Sequence, residues 1–407
     1  MTTTLDDIKT NATLSSIREE EAEVLISTYD RIPVLLERGE GMVVYDSEGR
    51  PYVDFLSGIG VNALGYAHPR IRAAIHAQTE RLIHTSNLFF HEYQGPLARK
   101  LTQLSGMDRA FFCNSGTEAW ECAIKLARAC KKKKRLLVMK NSFHGRTMGS
   151  LSTTGNVKYR APFTPMLPGV TFVRFNDVED LEAKFDASVC AIGLETIQGE
   201  GGVHPVSREF LARARELTRQ SGALLLLDEI QCGLGRTGKM FAYQHYGIEP
   251  DIVTVAKPLA AGLPLGAVLA RNEVADAFRP GMHGTTFGGG PLACATAVAF
   301  LDVISEPGFV EAIAARGEYF RDRLLHLKTR HRSIRDVRAM GLMAAIELDS
   351  AALAKSAVAQ MMERGFIINR THDIVLRFLP PYIVEAEHID RMVNALDEVL
   401  AGGNANA

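Results

Sequence analysis

The sequence predicts an α/β protein, with a large domain on a mainly parallel sheet and a smaller α+β domain beside it. Three observations carry this prediction. Between about residues 69 and 300, helical patterns alternate with short apolar runs. Several of those runs lack strict polar alternation, as strands buried on both faces of a parallel sheet require. Beyond Leu301 the texture changes to long helical stretches separated by two β patterns. Strand–helix–strand repetition implies right-handed crossovers, and 407 residues are enough for two or three domains.

Taken in order, residues 1–16 are polar and are expected to form a poorly ordered tail. Residues 17–68 read as an N-terminal segment of the small domain, in which "GMVVYDSEGRPYVDFLSGIG" forms a hairpin around Asp46-Ser47-Glu48-Gly49. The large domain, 69–300, holds the strands "RAFFCN" (109–114), "RLLVMKN" (135–141), "TFVRFN" (171–176), "VCAIGLET" (189–196), "ALLLLDE" (223–229) and "DIVTVAK" (251–257). The C-terminal part, 301–407, carries helices at 309–328, 351–364 and 385–400. Between them lie "IRDVRAMGLMAAIEL" and "IVLRFLPP". There is no internal repeat and no low-complexity segment.

Composition narrows the function classes. Lys plus Arg (46) nearly balances Asp plus Glu (47), so no overall field favours nucleic acid or an anionic membrane. The one basic run, Lys131 to Arg135, follows a helical pattern and reads as a helix C-terminus, where cations meet the negative dipole end. Six cysteines without a CxxC pair suggest free thiols in a reducing compartment. The N-terminus has no apolar segment of signal-peptide type, and no apolar run approaches the roughly 20 residues of a membrane helix. Cytoplasmic localisation is the expectation, with no metal site.

The stretch "LLLLDEIQCGLGRTGKM" (224–240) holds two nucleotide-binding patterns at once. Gly233-x-Gly235-x-x-Gly238 is the dinucleotide fingerprint, but that motif needs its first glycine immediately after the strand, and Asp228 to Cys232 intervene. Gly233-x-x-x-x-Gly238-Lys239 is a P-loop up to its last position, where Met240 replaces the magnesium-binding Ser or Thr. The glycines read better as a loop turning away from a site. The informative residues are Asp228 and Gln231, at the strand's carboxyl end, where ligands gather in α/β sheets.

An Asp at the end of a buried strand is costly without a cationic partner, although it also serves to cap a loop. The next strand ends in "AKPLAAGLPLGA", which places Lys257 at the corresponding edge. Taken alone, Lys257 reads as a surface lysine. Paired with Asp228 it suits pyridoxal phosphate. Apolar surroundings disfavour the ammonium form and prepare a Schiff-base amine, while a carboxylate keeps the pyridine nitrogen protonated. A phosphate seat follows the strand "RAFF": Ser115-x-x-Glu118 is a capping box, and the free N–H groups of Gly116 and Thr117 make an anion site at a helix N-terminus. A plain cap explains the same residues. Apolar residues at 119, 122, 123, 126 and 130 give that helix its stripe.

With these residues assembled, the chain resembles a fold-type I, pyridoxal phosphate-dependent class III aminotransferase, and within that class the acetylornithine aminotransferase group. The resemblance runs from about Arg18 to Leu400. It is carried by "HTSNLF" (84–89), "FCNSGTEAWECAIKLAR" (112–128), "SFHGRTMGSLSTTG" (142–155), "ETIQGEGGV" (195–203), "LLDEIQCGLGRTGKMFA" (226–242), "AKPLAAGLPLGA" (256–267), "HGTTFGGGPLACA" (283–295) and "LRFLPP" (376–381). It implies a seven-stranded sheet and a homodimer with shared active sites. It implies Lys257 as the amine that carries the cofactor and moves a proton, Asp228 at the pyridine nitrogen, and Gln231 at the phenolic oxygen. Phe143 and Ile230 would take the two ring faces, although core packing explains both as well. Ser115, Gly116 and Thr117 would hold the phosphate, completed by Thr286 of the neighbouring subunit. For substrates it implies Arg377 as the α-carboxylate clamp, Arg146 at the acylated end of the donor, Glu200 as an acid that pairs with the clamp and then releases it, and Thr285 nearby. Both arginines also suit structural salt bridges. Gly290 stands where the group usually has Asn.

The implied reaction moves the terminal amino group of N2-acetylornithine to 2-oxoglutarate. The same motifs admit other ω-amines: succinyldiaminopimelate, ornithine, 4-aminobutyrate or a carrier-linked lysine precursor. An aminomutase or racemase of the same class would need no oxo-acid acceptor. A nucleotide-binding module built on Gly233 to Gly238 would be stabilised by NAD or ATP instead.

Overall fold

The computed structural model describes residues 13–403. Its central sheet runs in the order Arg109–Cys113, Gly266–Ala270, Ile252–Val255, Leu224–Asp228, Val189–Glu195, Arg135–Met139, Val170–Val173. Six strands are parallel, and Gly266–Ala270 runs against both its neighbours. The two strands at the centre, Leu224–Asp228 and Val189–Glu195, are buried along their whole length, which is why neither shows polar alternation. Sequence reading found the other six strands and missed Gly266–Ala270. That run of five small and apolar residues follows a Gly- and Pro-punctuated loop, and its length and composition suit a turn of helix equally well.

Register positions the site. Asp228 pairs with Glu195 on one side and Thr254 on the other, so the carboxyl ends of three strands converge. Lys257 lies just beyond the end of Ile252–Val255.

The helix Gly116–Lys131 buries the expected Ala119, Cys122, Ala123 and Leu126, and also Trp120, Ile124 and Ala127. A single apolar stripe understates it. The basic run begins at its last turn, and Lys132 ends it in the left-handed region (φ 54°).

The glycine loop points into the protein. No α-helix follows its glycines, only the short 3₁₀ turn Ala242–His245, so neither nucleotide pattern has the helix N-terminus it needs. A Cβ on Gly238 (φ 80°) would fall 2.6 Å from Cβ of Ala314, on the helix Phe309–Arg330. The glycine permits that close approach. Arg236, 1% exposed, donates to the carbonyls of Leu342 and Pro380 and lies 4.6 Å from the Tyr382 ring centre. The loop fastens the main sheet to the C-terminal part of the chain.

Two smaller four-stranded sheets and a two-stranded pair, Ile197–Gln198 with His204–Pro205, complete the fold. One holds Leu36–Glu40, Val43–Asp46, Pro51–Asp54 and Phe366–Ile367, so the expected hairpin is present and a C-terminal strand joins its edge. The other holds Ile334–Met340, Met343–Leu348, Val375–Phe378 and Asn369–Thr371. The helices Phe309–Arg330, Ala351–Glu363 and Ala386–Gly403 match expectation closely. Most of the expected tail, residues 1–16, lies outside the described residues. Its last residues depart from expectation: the Thr13 hydroxyl caps the helix Leu14–Val24. Among the described residues no single helix is long and apolar enough to cross a membrane.

Candidate active site

Lys257 and Asp228 line one cavity of about 430 Å³ at the carboxyl edge of the sheet. Asp228, 4% exposed, accepts from the Nδ1–H of His144 at 2.7 Å and from the Ile230 N–H at 3.0 Å. His144 is fully buried and stacks flat on Trp120, with ring centres 3.9 Å apart and planes 6° from parallel. The indole N–H donates to Thr153 Oγ1 at 2.8 Å, while Nε2 of His144 has no partner among the described residues. One edge of this histidine is therefore committed to the aspartate, and both rings are fixed.

Lys257 sits at φ 35°, a left-handed conformation costing a non-glycine residue about 1–3 kcal/mol, of the kind concentrated at functional sites. Burial lowers its amine below the usual lysine range, and Arg377 pushes the same way against Glu200, Asp228 and Glu195. Glu195 is pushed up to about 8 by burial and by Asp228, although its carboxyl accepts from the Phe143 N–H (2.9 Å) and the Gly199 N–H (3.2 Å).

The cavity wall opposite is the start of the helix Gly116–Lys131. Ser115 Oγ accepts from the Glu118 N–H at 3.3 Å. The Glu118 carboxylate reaches back to the Asn114 N–H (2.5 Å), one residue earlier than a standard capping box would place it. The N–H groups of Gly116 and Thr117, in the first turn, have no intrahelical acceptor. Gly116 packs so closely on Ile230 that a Cβ there would fall 2.8 Å from its side chain. Thr117 Oγ1 lies 2.9 Å from Thr147 Oγ1.

At the cavity's far side Arg377, 1% exposed, donates from Nη1 to Glu200 Oε1 at 2.7 Å and to Gln231 Oε1 at 3.2 Å, and from Nε to Asn369 Oδ1 at 3.3 Å. Burial alone would raise the Glu200 carboxyl, but Arg377, with Lys257 and Thr371, holds it below the ordinary range. Arg146 is exposed to the cavity and stacks over Tyr159, 3.8 Å from its ring centre, and near Phe143 at 5.7 Å. It makes no ion pair with any described residue.

The structure thus brings Ser115, Gly116, Thr117, Phe143, Arg146, Glu200, Asp228, Ile230, Gln231 and Lys257 to one cavity, with Arg377 bonded to its wall. Thr285 and Thr286 are not among its lining residues; they line a separate surface pocket beside Asn114 and Glu118. Thr285 Oγ1 accepts from Asn114 Nδ2 at 3.1 Å. Sequence reading overlooked His144, Glu195, Trp120 and Tyr159. For His144 a signal existed, since it directly follows Phe143 after a buried strand. Glu195 carried one as well, since it ends the buried strand Val189–Glu195 beside Asp228. Trp120 and Tyr159 are connected to the site only by tertiary contact.

A family model for class-III aminotransferases matches residues 25–400, and the chain belongs to that family. The acetylornithine aminotransferase of Methanocaldococcus jannaschii is 48% identical over 385 residues, covering 93% of this chain and 96% of that protein. That of Caldanaerobacter subterraneus is 46% identical, covering 94% and 98%. Among solved structures, the ornithine aminotransferase of Toxoplasma gondii superposes with a TM-score of 0.93 at 34% identity, covering 99% and 98%. The acetylornithine aminotransferase of Elizabethkingia anophelis gives 0.86 at 32%, covering 96% and 100%.

The protein is therefore a pyridoxal phosphate-dependent aminotransferase of fold-type I. The cavity's donor set fits that cofactor: an amine of lowered basicity, a buried carboxylate already holding one imidazole, and free amides at a helix N-terminus.

Proposed function

We propose that this enzyme moves the terminal amino group of N2-acetylornithine to 2-oxoglutarate, giving N-acetylglutamate 5-semialdehyde and glutamate. The reading rests on the paired clamp: Arg377 is bonded to Glu200 while Arg146, across the same cavity, has no counter-ion among the described residues. A donor with a carboxylate and an acylated amine at one end and a bare amine at the other fits that arrangement. Its carboxylate goes to Arg146, and its amine approaches Lys257 past the neutralised Arg377. When 2-oxoglutarate enters, its α-carboxylate displaces Glu200 from Arg377 and takes the planar fork. One pocket then serves two substrates of different charge.

Bound pyridoxal phosphate supplies an electron sink for the carbon that carries the amine. Lys257 Nζ, whose basicity burial lowers, takes the proton from that carbon. Asp228, oriented by His144, would face the ring nitrogen, and Gln231 the phenolic oxygen. Phe143 and Ile230 would hold the ring faces, and Ser115, Gly116 and Thr117 the phosphate.

The same reading makes the protein a homodimer in which Thr286 and Thr285 serve the partner's site. Both lie outside their own chain's cavity. Leu88, Phe89 and Phe90 are 86, 68 and 105% exposed, with Phe287 at 65%, an apolar patch of the kind that marks an interface. We divide the chain into a large domain, 69–300, and a small one built from 17–68 and 301–407, which share the sheet edge at Phe366–Ile367. Six unpaired cysteines support a cytoplasmic location.

A panel of amino donors tests the substrate reading, with glutamate formation from 2-oxoglutarate as readout. N2-acetylornithine is expected to give the highest kcat/KM. Preference for succinyldiaminopimelate, ornithine, 4-aminobutyrate or a carrier-linked lysine precursor would replace it.

A further inference from the structure

Arg146 is a long, exposed side chain asked to meet a substrate carboxylate, and no charged side chain among the described residues holds it in place. What it rests on is Tyr159. The guanidinium carbon lies 3.8 Å from the Tyr159 ring centre, a contact closer than the 5.7 Å to Phe143. Tyr159 also meets Phe143 edge to face, at 6.2 Å and 87°. One aromatic ring therefore touches both the substrate arginine and a cavity wall residue.

Tyr159 is itself well anchored. It sits on the short turn Val157–Arg160, whose first turn is capped by Asn156 Oδ1 accepting from the Lys158 N–H at 3.0 Å. Arg160, at the end of that turn, lies over the ring of Phe172 at 4.1 Å. The Tyr159 hydroxyl makes no hydrogen bond with any described residue, so its ring carries the contact. Beyond it opens a second cavity of about 860 Å³, which shares Phe143 and Glu200 with the first.

We propose that Tyr159 is the positioning residue for Arg146, holding its guanidinium fork at the junction of the two cavities so that it selects donors with a carboxylate at the remote end. An arginine stacked on an aromatic face is restricted before binding, so less freedom is lost when the carboxylate arrives. This inference rests on the acylated-donor reading.

The test is steady-state kinetics of the purified holoenzyme. Tyr159→Leu is expected to raise KM for the acylated donor about five- to tenfold, the range of a cation–π contact, with kcat within about twofold. Tyr159→Gln, closer in length, gives the same rise if the leucine variant folds poorly. Tyr159→Phe restores the KM. In an Arg146→Ala background, Tyr159→Leu adds less than about twofold, because the two residues act as one unit. A wild-type KM in the leucine and glutamine variants overturns the proposal, as does a loss that phenylalanine fails to restore or one undiminished without Arg146. A wild-type enzyme that turns over no ω-amino donor overturns the functional reading instead.

Discussion

Glu200 Oε1 and Arg377 Nη1 stand 2.7 Å apart, and the same guanidinium nitrogen reaches Gln231 Oε1 at 3.2 Å. On the proposed reading, the clamp for a substrate carboxylate is closed on a protein carboxylate and shares its guanidinium with Gln231, on the same cavity wall. Removing the acid should reverse the preference. Glu200→Ala is expected to lower kcat/KM for N2-acetylornithine about tenfold, since its terminal ammonium would meet an unpaired cation, and to raise kcat/KM for glutamate in the reverse direction. Unchanged ratios between the two substrates would refute the switch.

Lys257→Ala should abolish turnover by at least 10²- to 10⁴-fold, the span of a lost general acid–base group. It should also remove the cofactor absorbance that borohydride treatment erases in the wild type. Retention of full activity would place the chemistry on another residue.

The carboxyl of Glu195 is pushed up to about 8 and that of Glu229 to about 7, in both cases chiefly by burial. A raised folded-state value means these groups contribute stability fully below about pH 4.5, and that this is lost as pH rises through 7–8. The melting temperature of the cofactor-free protein should therefore fall across that window. The fall should be shallower in Glu195→Gln, which cannot ionise; an equal slope in calorimetry would contradict the assignment.

His144 contributes through Asp228. His144→Leu removes a buried hydrogen bond to a carboxylate and is expected to weaken cofactor binding and lower kcat by about tenfold or more. Equilibrium titration with pyridoxal phosphate checks the first effect. Loss of kcat with unaltered cofactor affinity would assign His144 a different role.

The exposed patch at Leu88, Phe89 and Phe90 gives the dimer a direct test. Phe90→Glu places a charge where an apolar partner surface is expected. Light scattering should show a shift toward monomer, with weaker cofactor binding because Thr286 is withdrawn. A variant that stays dimeric with normal affinity would move the interface elsewhere.

How much of this could be read from the sequence follows a physical divide. Buried parallel strands announce themselves through apolar runs, and Asp228 and Lys257 were legible because each ends such a run. Gly266–Ala270 was not, since a short antiparallel insertion leaves no periodicity of its own. The unusual back-reach of Glu118 to the Asn114 N–H depends on loop geometry that spacing does not encode. Trp120 gave only a position on an apolar helix. Its flat stack on His144 needs the sheet to bring residue 144 across to it. Arg146 was assigned through resemblance, but the ring beneath it lies thirteen positions away, and no motif connected the two.

Trp120 is the chain's single tryptophan, and it lies one imidazole away from Asp228, the carboxylate proposed to face the cofactor. All indole emission from this protein therefore originates beside the cavity lined by Lys257 and Asp228, and pyridoxal phosphate bound there is a natural acceptor for that light. The enzyme carries an intrinsic fluorophore for its own loading state. Occupancy can be followed in real time without a label.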